Sequence, residues 1–348
     1  MKVVFRVEAG DALGWGRLSR TAALAWELRA AQAQVTVALT GGGGAMLDNF
    51  GIAHETLAAP SGKKHQDQLV SLCSGADLLV VDAPIPSLEL ARVFALIDPT
   101  PVLYVTDDPH GYLSVSAVLN PNADAPSRMV DAPRNVRLML GPRFAPIRPD
   151  VASARPEEPT PWDQFRVAVC FPPPDEANLT GRVLAALNHV AGNFHVDVIA
   201  SEDMTHFDAV REQVESMNVP TNLVVDPENI GEVFVEASLG VCPGGMTALE
   251  YACLGVAGAY LTDTTHADEG AAALALTGLG HRIGLSETVS DDGLIAQMHL
   301  LIDKRRLREA YAQTARAQVD AKGARRVLEK LIKDGLISLA LPEERPGR

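Results

Sequence analysis

The sequence is short of most features that announce a class at a glance. No window reaches the ~18 uninterrupted apolar residues of a membrane-spanning helix. Residues 1–7 carry one Lys and one Arg inside a strand-like run and lack the long apolar stretch of a signal peptide. Cysteine is scarce. Cys73, Cys170, Cys242 and Cys253 are widely spaced, form no CxxC pair and sit among apolar or small neighbours, so buried free thiols are expected rather than disulfides or a zinc site. His54, His65, His110, His189, His195, His206, His281 and His299 show no metal-ligand spacing, and no metal or cofactor is expected. Positive charge is also short: 30 Lys and Arg face 44 Asp and Glu, for a formal net charge of −14. A field of that sign repels polyanions, which argues against nucleic-acid binding across a broad surface and leaves open a local pocket for one phosphorylated ligand. The expectation is a reduced, soluble, cytoplasmic chain.

What is present is an ordinary globular composition, 47% hydrophobic and 21% charged over 348 residues, which excludes a wholly disordered chain, a coiled coil or a collagen-like repeat. At roughly 150 residues per domain, the length favours two domains. Strand-like runs over 2–7, 34–39, 77–81, 101–105 and 117–119 alternate with helical spacing over 18–31, 66–73 and 87–96. Continuous Val/Ile/Leu runs separated by helices predict a parallel sheet covered on both faces. Over 141–163 the pattern breaks at Pro142, Pro146, Pro149, Pro156, Pro159 and Pro161. Proline removes ladder donors, so this stretch reads as a linker. Alternation then restarts, with strands over 165–170, 195–200, 222–225, 239–242 and 257–261 and helices over 179–191, 207–217, 230–237 and 247–254. The expectation is an α/β chain of two Rossmann-like domains, 1–140 and 164–335, facing across a cleft, with a tail over 336–348. In open parallel sheets ligands bind at the carboxyl ends of strands, so the cleft is the default site. The basic helical region over 291–333 is broken by Asp303, Glu309, Asp320 and Glu329. It reads as a solvated face, with peripheral contact to an anionic membrane as the alternative.

Two glycine turns stand out. Residues 10–20 follow the first strand and open the first helix. Gly14 and Gly16 allow close backbone approach, and Arg17 and Arg20 on the first turn either hold a phosphate or carboxylate or pair with Glu8 or Asp11 and fix the loop. The third glycine of a dinucleotide fingerprint is absent. In the second turn, Gly244, Gly245 and the amide of Met246 can form an anion-binding nest, with Thr247 as cap or phosphate donor. Glu250, one turn on, either accepts from ribose hydroxyls or is a solvated Glu. Gly41 to Gly44 read as a flexible turn. Asp107 and Asp108 close the strand over 101–105, where adjacent carboxylates either serve as acid and base or cap a turn. His266, with Asp268 and Glu269, follows the strand over 257–261 and reads as a hydrogen-bonding residue at the cleft.

Taken in order, these segments resemble one family. Lys-Val-Val-Phe-Arg, then Leu-Gly14-Trp-Gly16-Arg17-Leu-Ser-Arg20, then Leu79-Val-Val-Asp82, Thr106-Asp107-Asp108, Leu119-Asn120-Pro-Asn122 and Gly244-Gly245-Met-Thr247-Ala-Leu-Glu250 are similar to the UDP-sugar hydrolases of pseudaminic acid biosynthesis and their spore-coat polysaccharide relatives. The resemblance covers the chain to about residue 290. It implies the GT-B fold of the UDP-GlcNAc transferase of peptidoglycan synthesis. It also implies a UDP-linked deoxyamino sugar cleaved by water, with UDP at Gly244, Gly245, Thr247 and Glu250 and the sugar against Gly14, Gly16 and the segment after Asp82.

The departures fall on the chemistry. The family carries Gly-x-Gly-His after its first strand, its proposed catalytic residue, where this chain has Arg17, and a guanidinium does not release its proton near neutral pH. The family's Asp-His-Tyr is here Asp82-Ala83-Pro84, and its Gly-Gly in the second domain is here Pro172-Pro173. Three readings follow: a UDP-sugar enzyme with a reassigned base among Asp107, Asp108 and Glu8; a glycosyltransferase in which Arg17 holds an anionic acceptor or the diphosphate; and a nucleotide-sugar binder without turnover.

Overall fold

The computed structural model describes residues 1–10, 15–58, 61–83, 88–107, 115–129, 133–158 and 164–343. Two compact units emerge, one of residues 1–149 joined by the segment from Lys322 onward, the other of Asp150–Ala321.

Unit 1 runs β1 (Lys2–Glu8), α1 (Gly16–Ala30), β2 (Gln34–Thr40), α2 (Gly44–Asn49), β3 (His54–Thr56), α3 (Lys63–Leu72), β4 (Leu78–Asp82), α4 (Leu88–Leu96), β5 (Val102–Val105), β6 (Ala117–Asn120), α5 (Ala125–Arg128) and β7 (Arg137–Leu140). The seven strands form one sheet in the order β3-β2-β1-β4-β5-β6-β7, every pair parallel. Alternate residues of β1 enter different cores: Val3, Phe5 and Val7 pack on the face that carries α1, Val4 on the other. A strand buried on both faces has no reason to alternate polar and apolar, which is why it reads as a continuous run.

Unit 2 contains the elements that follow up to Ala321. After α6 (Pro149–Ala154) come β8 (Arg166–Cys170), α7 (Leu179–Leu187), β9 (His195–Ala200), α8 (Phe207–Glu215), β10 (Thr221–Val225), α9 (Ile230–Val235), β11 (Leu239–Cys242), α10 (Gly245–Leu254), β12 (Ala257–Thr262), α11 (Thr265–Leu276), β13 (Gly280–Leu285), α12 (Asp291–Asp303) and α13 (Arg305–Gln318). Its sheet is again all parallel, in the order β10-β9-β8-β11-β12-β13. In both units the winding reverses beside the first strand, between β1 and β4 and between β8 and β11. Those are the topological switch points at which such sheets bind ligands.

Three expectations need correction. The stretch over 141–163 is not uniformly a linker, because Pro149 opens α6, and proline is tolerated in a helix's first turn, where its missing N–H would be unpaired anyway. The glycine run is not all turn, because its last residue, Gly44, opens α2, with Gly43 at φ 100° as the N-cap residue. The last helix, α14 (Gly323–Lys333), does not belong with the second domain: Ala324, Val327, Leu328 and Leu331 sit in the core of unit 1 with Leu18, Ala22 and Leu28 of α1. Gly323 is required there, since a Cβ would lie 2.0 Å from the carbonyl oxygen of Ala145. The basic residues nearby are largely committed within the chain, as in Arg305–Glu309, Arg325–Glu329 and Lys330–Asp334. No described helix is long and apolar enough to cross a membrane. All four cysteines are free and buried.

Candidate functional site

At the switch point of unit 1, the carboxyl ends of β1, β4 and β5 bring charged groups together with the first turn of α1. The centre is Arg20. Its Nε donates to Asp82 Oδ2 at 2.6 Å and its Nη2 to Asp82 Oδ1 at 2.7 Å, while Nη1 and Nη2 reach Asp107 Oδ1 and Oδ2 at 2.8 and 3.1 Å. One guanidinium thus holds two carboxylates, one at the end of β4 and one just beyond β5, each in a two-bond arrangement that only arginine's planar fork provides. The Arg20 side chain is 4% exposed and that of Asp82 2%, whereas Asp107 keeps 36% of its side-chain surface exposed. Asn122 adds a donor to Asp107 at 3.3 Å and is itself set by Asn120, whose side chain accepts from the Asn122 amide at 3.0 Å.

Arg17, one turn earlier on α1, is 14% exposed. Its Nε stands 3.6 Å from Asp82 Oδ1, too far for a hydrogen bond, and its Nη1 donates a long bond of 3.5 Å to the Glu8 carbonyl. The Glu8 carboxylate pairs with Arg6, a strand neighbour two residues back. Tyr104 closes the floor, its hydroxyl donating to the Ala83 carbonyl at 3.0 Å, and burial pushes its pKa up.

The two carboxylates respond oppositely to this setting. Burial pushes Asp82 above the usual carboxylate range, against the pull of Arg20. Burial acts on Asp107 in the same sense, but the charge and hydrogen bonds of Arg20, with Arg17 and Asn122, outweigh it and hold Asp107 below that range. Asp107, the more exposed of the two, is therefore the ionised acceptor that faces solvent.

Unit 2 presents a different surface at its own switch point. Gly244 (φ 102°) and Gly245 (φ 58°) lie between β11 and α10 in backbone conformations that L side chains rarely adopt. A Cβ at Gly245 would meet nothing within 4 Å, so conformation rather than space selects glycine there. No side chain caps α10, which leaves its first-turn amides directed at the strand ends. On the other side of the switch point, α7 is closed by its own residues: Asp175 accepts from the amides of Leu179 and Thr180 at 2.8 and 3.0 Å, and Asn178 from that of Gly181 at 3.1 Å. Thr264 caps α11 in the same way, accepting from the Ala267 amide at 3.2 Å.

Glu8, Arg17, Arg20, Asp82 and Asp107 are brought into one cluster. Arg20 commits its fork to Asp82 and Asp107, while Asp11, one of its expected partners, lies outside the described residues. Gly16 is the first residue of α1, while Gly14 and Asp108 lie outside the described residues. Gly244, Gly245, Met246 and Thr247 form the open turn. Glu250 is buried in α10 rather than solvated. His266 and Glu269 stand exposed on the first turns of α11 in unit 2. Among the described residues no group of three or more His, Cys, Asp or Glu is suited to a metal ion. Arg6, Asn120 and Asn122 were not expected as site residues. The motif Asn120-Pro-Asn122, directly after a strand, was the available signal.

No family model matches the chain. Among known sequences it is similar to the spore coat polysaccharide biosynthesis protein SpsG of Bacillus subtilis strain 168, at 27% identity over 196 residues. That match spans 56% of this chain and 57% of the relative, little more than half of either. The likeness to solved structures runs nearly end to end. MurG of Acinetobacter baumannii superposes with a TM-score of 0.66 at 15% identity, over 96% of this chain and 100% of that one. UDP-GlcNAc 2-epimerase from Neisseria meningitidis bound to UDP-GlcNAc gives 0.64 at 14%, over 96% and 100%. The spinosyn rhamnosyltransferase SpnG gives 0.61 at 14%, over 94% and 100%. With two parallel sheets layered by helices, the chain has the GT-B fold.

Proposed function

We propose that the chain is a nucleotide-sugar enzyme that cleaves the anomeric C–O bond of a UDP-linked deoxyamino sugar with water and releases UDP. The observation that carries this reading is Asp107, an ionised carboxylate fixed by Arg20 and Asn122 and partly open to solvent. Such a group is in the form that can take a proton from attacking water, although the pull of Arg20 makes it a weak base.

The described groups around it supply no matching acid. Arg6, Arg17 and Arg20 keep their protons at physiological pH, and Asp82 is buried and tied to Arg20. A glycosidase that expels an alkoxide needs a second carboxyl to protonate it. A nucleoside diphosphate leaves as a stable anion and needs none, so a base without an acid suits a phosphate leaving group. The uncapped amides at Gly245, Met246 and Thr247 support an anion at unit 2, and we assign the diphosphate to that turn and the ribose to Glu250. The sugar is assigned to the strand ends of unit 1. The name of the Bacillus relative refers to spore coat polysaccharide biosynthesis, and surface-glycan synthesis is the setting we propose for this chain.

Glycosyl transfer is the second reading. It is favoured by Arg17 standing where the resembling hydrolases carry histidine. Asp107 would then take the proton of an acceptor hydroxyl.

Calorimetric titration of UDP, with UDP release from UDP-amino sugars followed in the same samples, tests both. Hydrolysis predicts binding with release, and Asp107→Asn should lower release by roughly 10²–10⁴-fold with binding kept. Binding without release points to transfer or to a binder. No binding overturns the nucleotide-sugar reading.

A further inference from the structure

Arg20 alone cannot neutralise the carboxylates of Asp82 and Asp107. Two carboxylates sharing one cation repel each other, and in a buried setting one of them is driven to take a proton. The charged groups facing this pair, among the described residues, come from three elements: Arg17 and Arg20 from α1, Glu8 from β1 with its charge already met by Arg6, and Tyr104 from β5 with its hydroxyl committed to a carbonyl. Asn122 contributes a neutral donor. Among the described residues the count closes only with Arg17. Its Nε sits 3.6 Å from Asp82 Oδ1, within ion-pair reach but outside hydrogen-bonding distance, and makes no other contact. The one hydrogen bond of the side chain to a described residue is the long one from Nη1 to the Glu8 carbonyl, so toward Asp82 it offers charge rather than a hydrogen bond. Supplying charge needs no hydrogen-bond geometry.

We propose that Arg17 is a positioning residue whose positive charge keeps Asp82 and Asp107 ionised together around Arg20, so that Asp107 carries no proton. The direction of both effects agrees, since Arg17 lowers the proton affinity of each carboxylate. The assignment concerns the charge state of the cluster and stands apart from what the site turns over. A failure of UDP release would sink the reading of the previous section without touching it.

The test is a carboxyl-detected NMR titration of protein labelled at aspartate, with the Asp107 and Asp82 signals assigned from Asp107→Asn and Asp82→Asn. In Arg17→Gln the Asp107 midpoint should rise by about one pH unit or more, or the pair should titrate in two separated steps. Arg17→Lys, which restores the charge without the fork, should return it to within a few tenths of wild type. Should Arg17→Gln fold poorly, the double variant Arg17→Gln/Asp107→Asn decides: with one carboxylate and one guanidinium left in balance, it should regain most of the urea resistance lost by the single variant. An unchanged Asp107 midpoint in Arg17→Gln, no recovery in Arg17→Lys, or a double variant no more stable than the single one overturns the proposal.

Discussion

The two units share one topology and use it for opposite chemistries. Both are parallel sheets that reverse winding beside their first strand, and both concentrate unusual residues at that reversal. In unit 1 the site is made of side chains, with Arg17, Arg20, Asp82 and Asp107 locked in a charge network. In unit 2 it is made of backbone, with Gly244 and Gly245 turning the chain into the first turn of α10, which no side chain caps. Side-chain sites can be tuned through their pKa values and respond to pH. Backbone sites cannot be titrated, and they tolerate any change that preserves φ and ψ. On the proposed function, one fold would pair a proton-transfer centre with a pH-indifferent anion holder.

The largest expected effect comes from removing the hub of the network. Arg20→Met leaves two carboxylates without their shared cation, one of them buried, and should cost about 3–5 kcal/mol in urea unfolding. A loss below about 1 kcal/mol would make unit 1 as indifferent to its side chains as unit 2 is. In unit 2 the corresponding change is Gly245→Ala, which forces a side chain into the left-handed region at a cost of about 1–2 kcal/mol. It should also weaken UDP binding in calorimetry, because the amides can no longer be held at this angle. Asn178→Ala, which removes the cap of α7, should cost about 1 kcal/mol and leave UDP affinity unmoved. Equal loss of affinity in both variants would mean that the open turn is not the anion holder.

The smallest effect is in the acid limb of stability. Asp107 has a folded pKa below its unfolded one, so the stability it contributes is present above the unfolded value and is lost as pH falls through the folded value. Asp82, raised by burial, works in the opposite sense and offsets part of this. Urea midpoints of Asp107→Asn should therefore fall less steeply than those of wild type below about pH 4. A steeper acid limb in the variant would place the lowered pKa on another group.

Much of the fold was legible because buried parallel strands are continuous apolar runs. The spans over 195–200 and 239–242 coincide with β9 and β11 residue for residue. The edges were not. His-Glu-Thr of β3 carries no apolar signal, and β13 is interrupted by Gly284 at φ 130°. The charged residues of the site were found from their places after strands, which topology then gathers. Their pairing was not, because Asp82 ends β4 while Asp107 follows β5 by two residues, and only the adjacency of those strands brings both to Arg20. The open turn of unit 2 was legible because glycine at a strand end is a local signal. The closed state of α7 needed the observed hydrogen bonds.

One consequence concerns the order in which the molecule can be made. Unit 2 is a single uninterrupted stretch, whereas unit 1 is completed by α14, more than 170 residues beyond its last strand. As the chain leaves the ribosome, the first seven strands emerge with a gap on the face of α1, where Val327, Leu328 and Leu331 will later lie. The half made first is therefore finished last. A nascent chain halted before Gly323 should hold a protease-resistant unit 2 and a protease-sensitive unit 1.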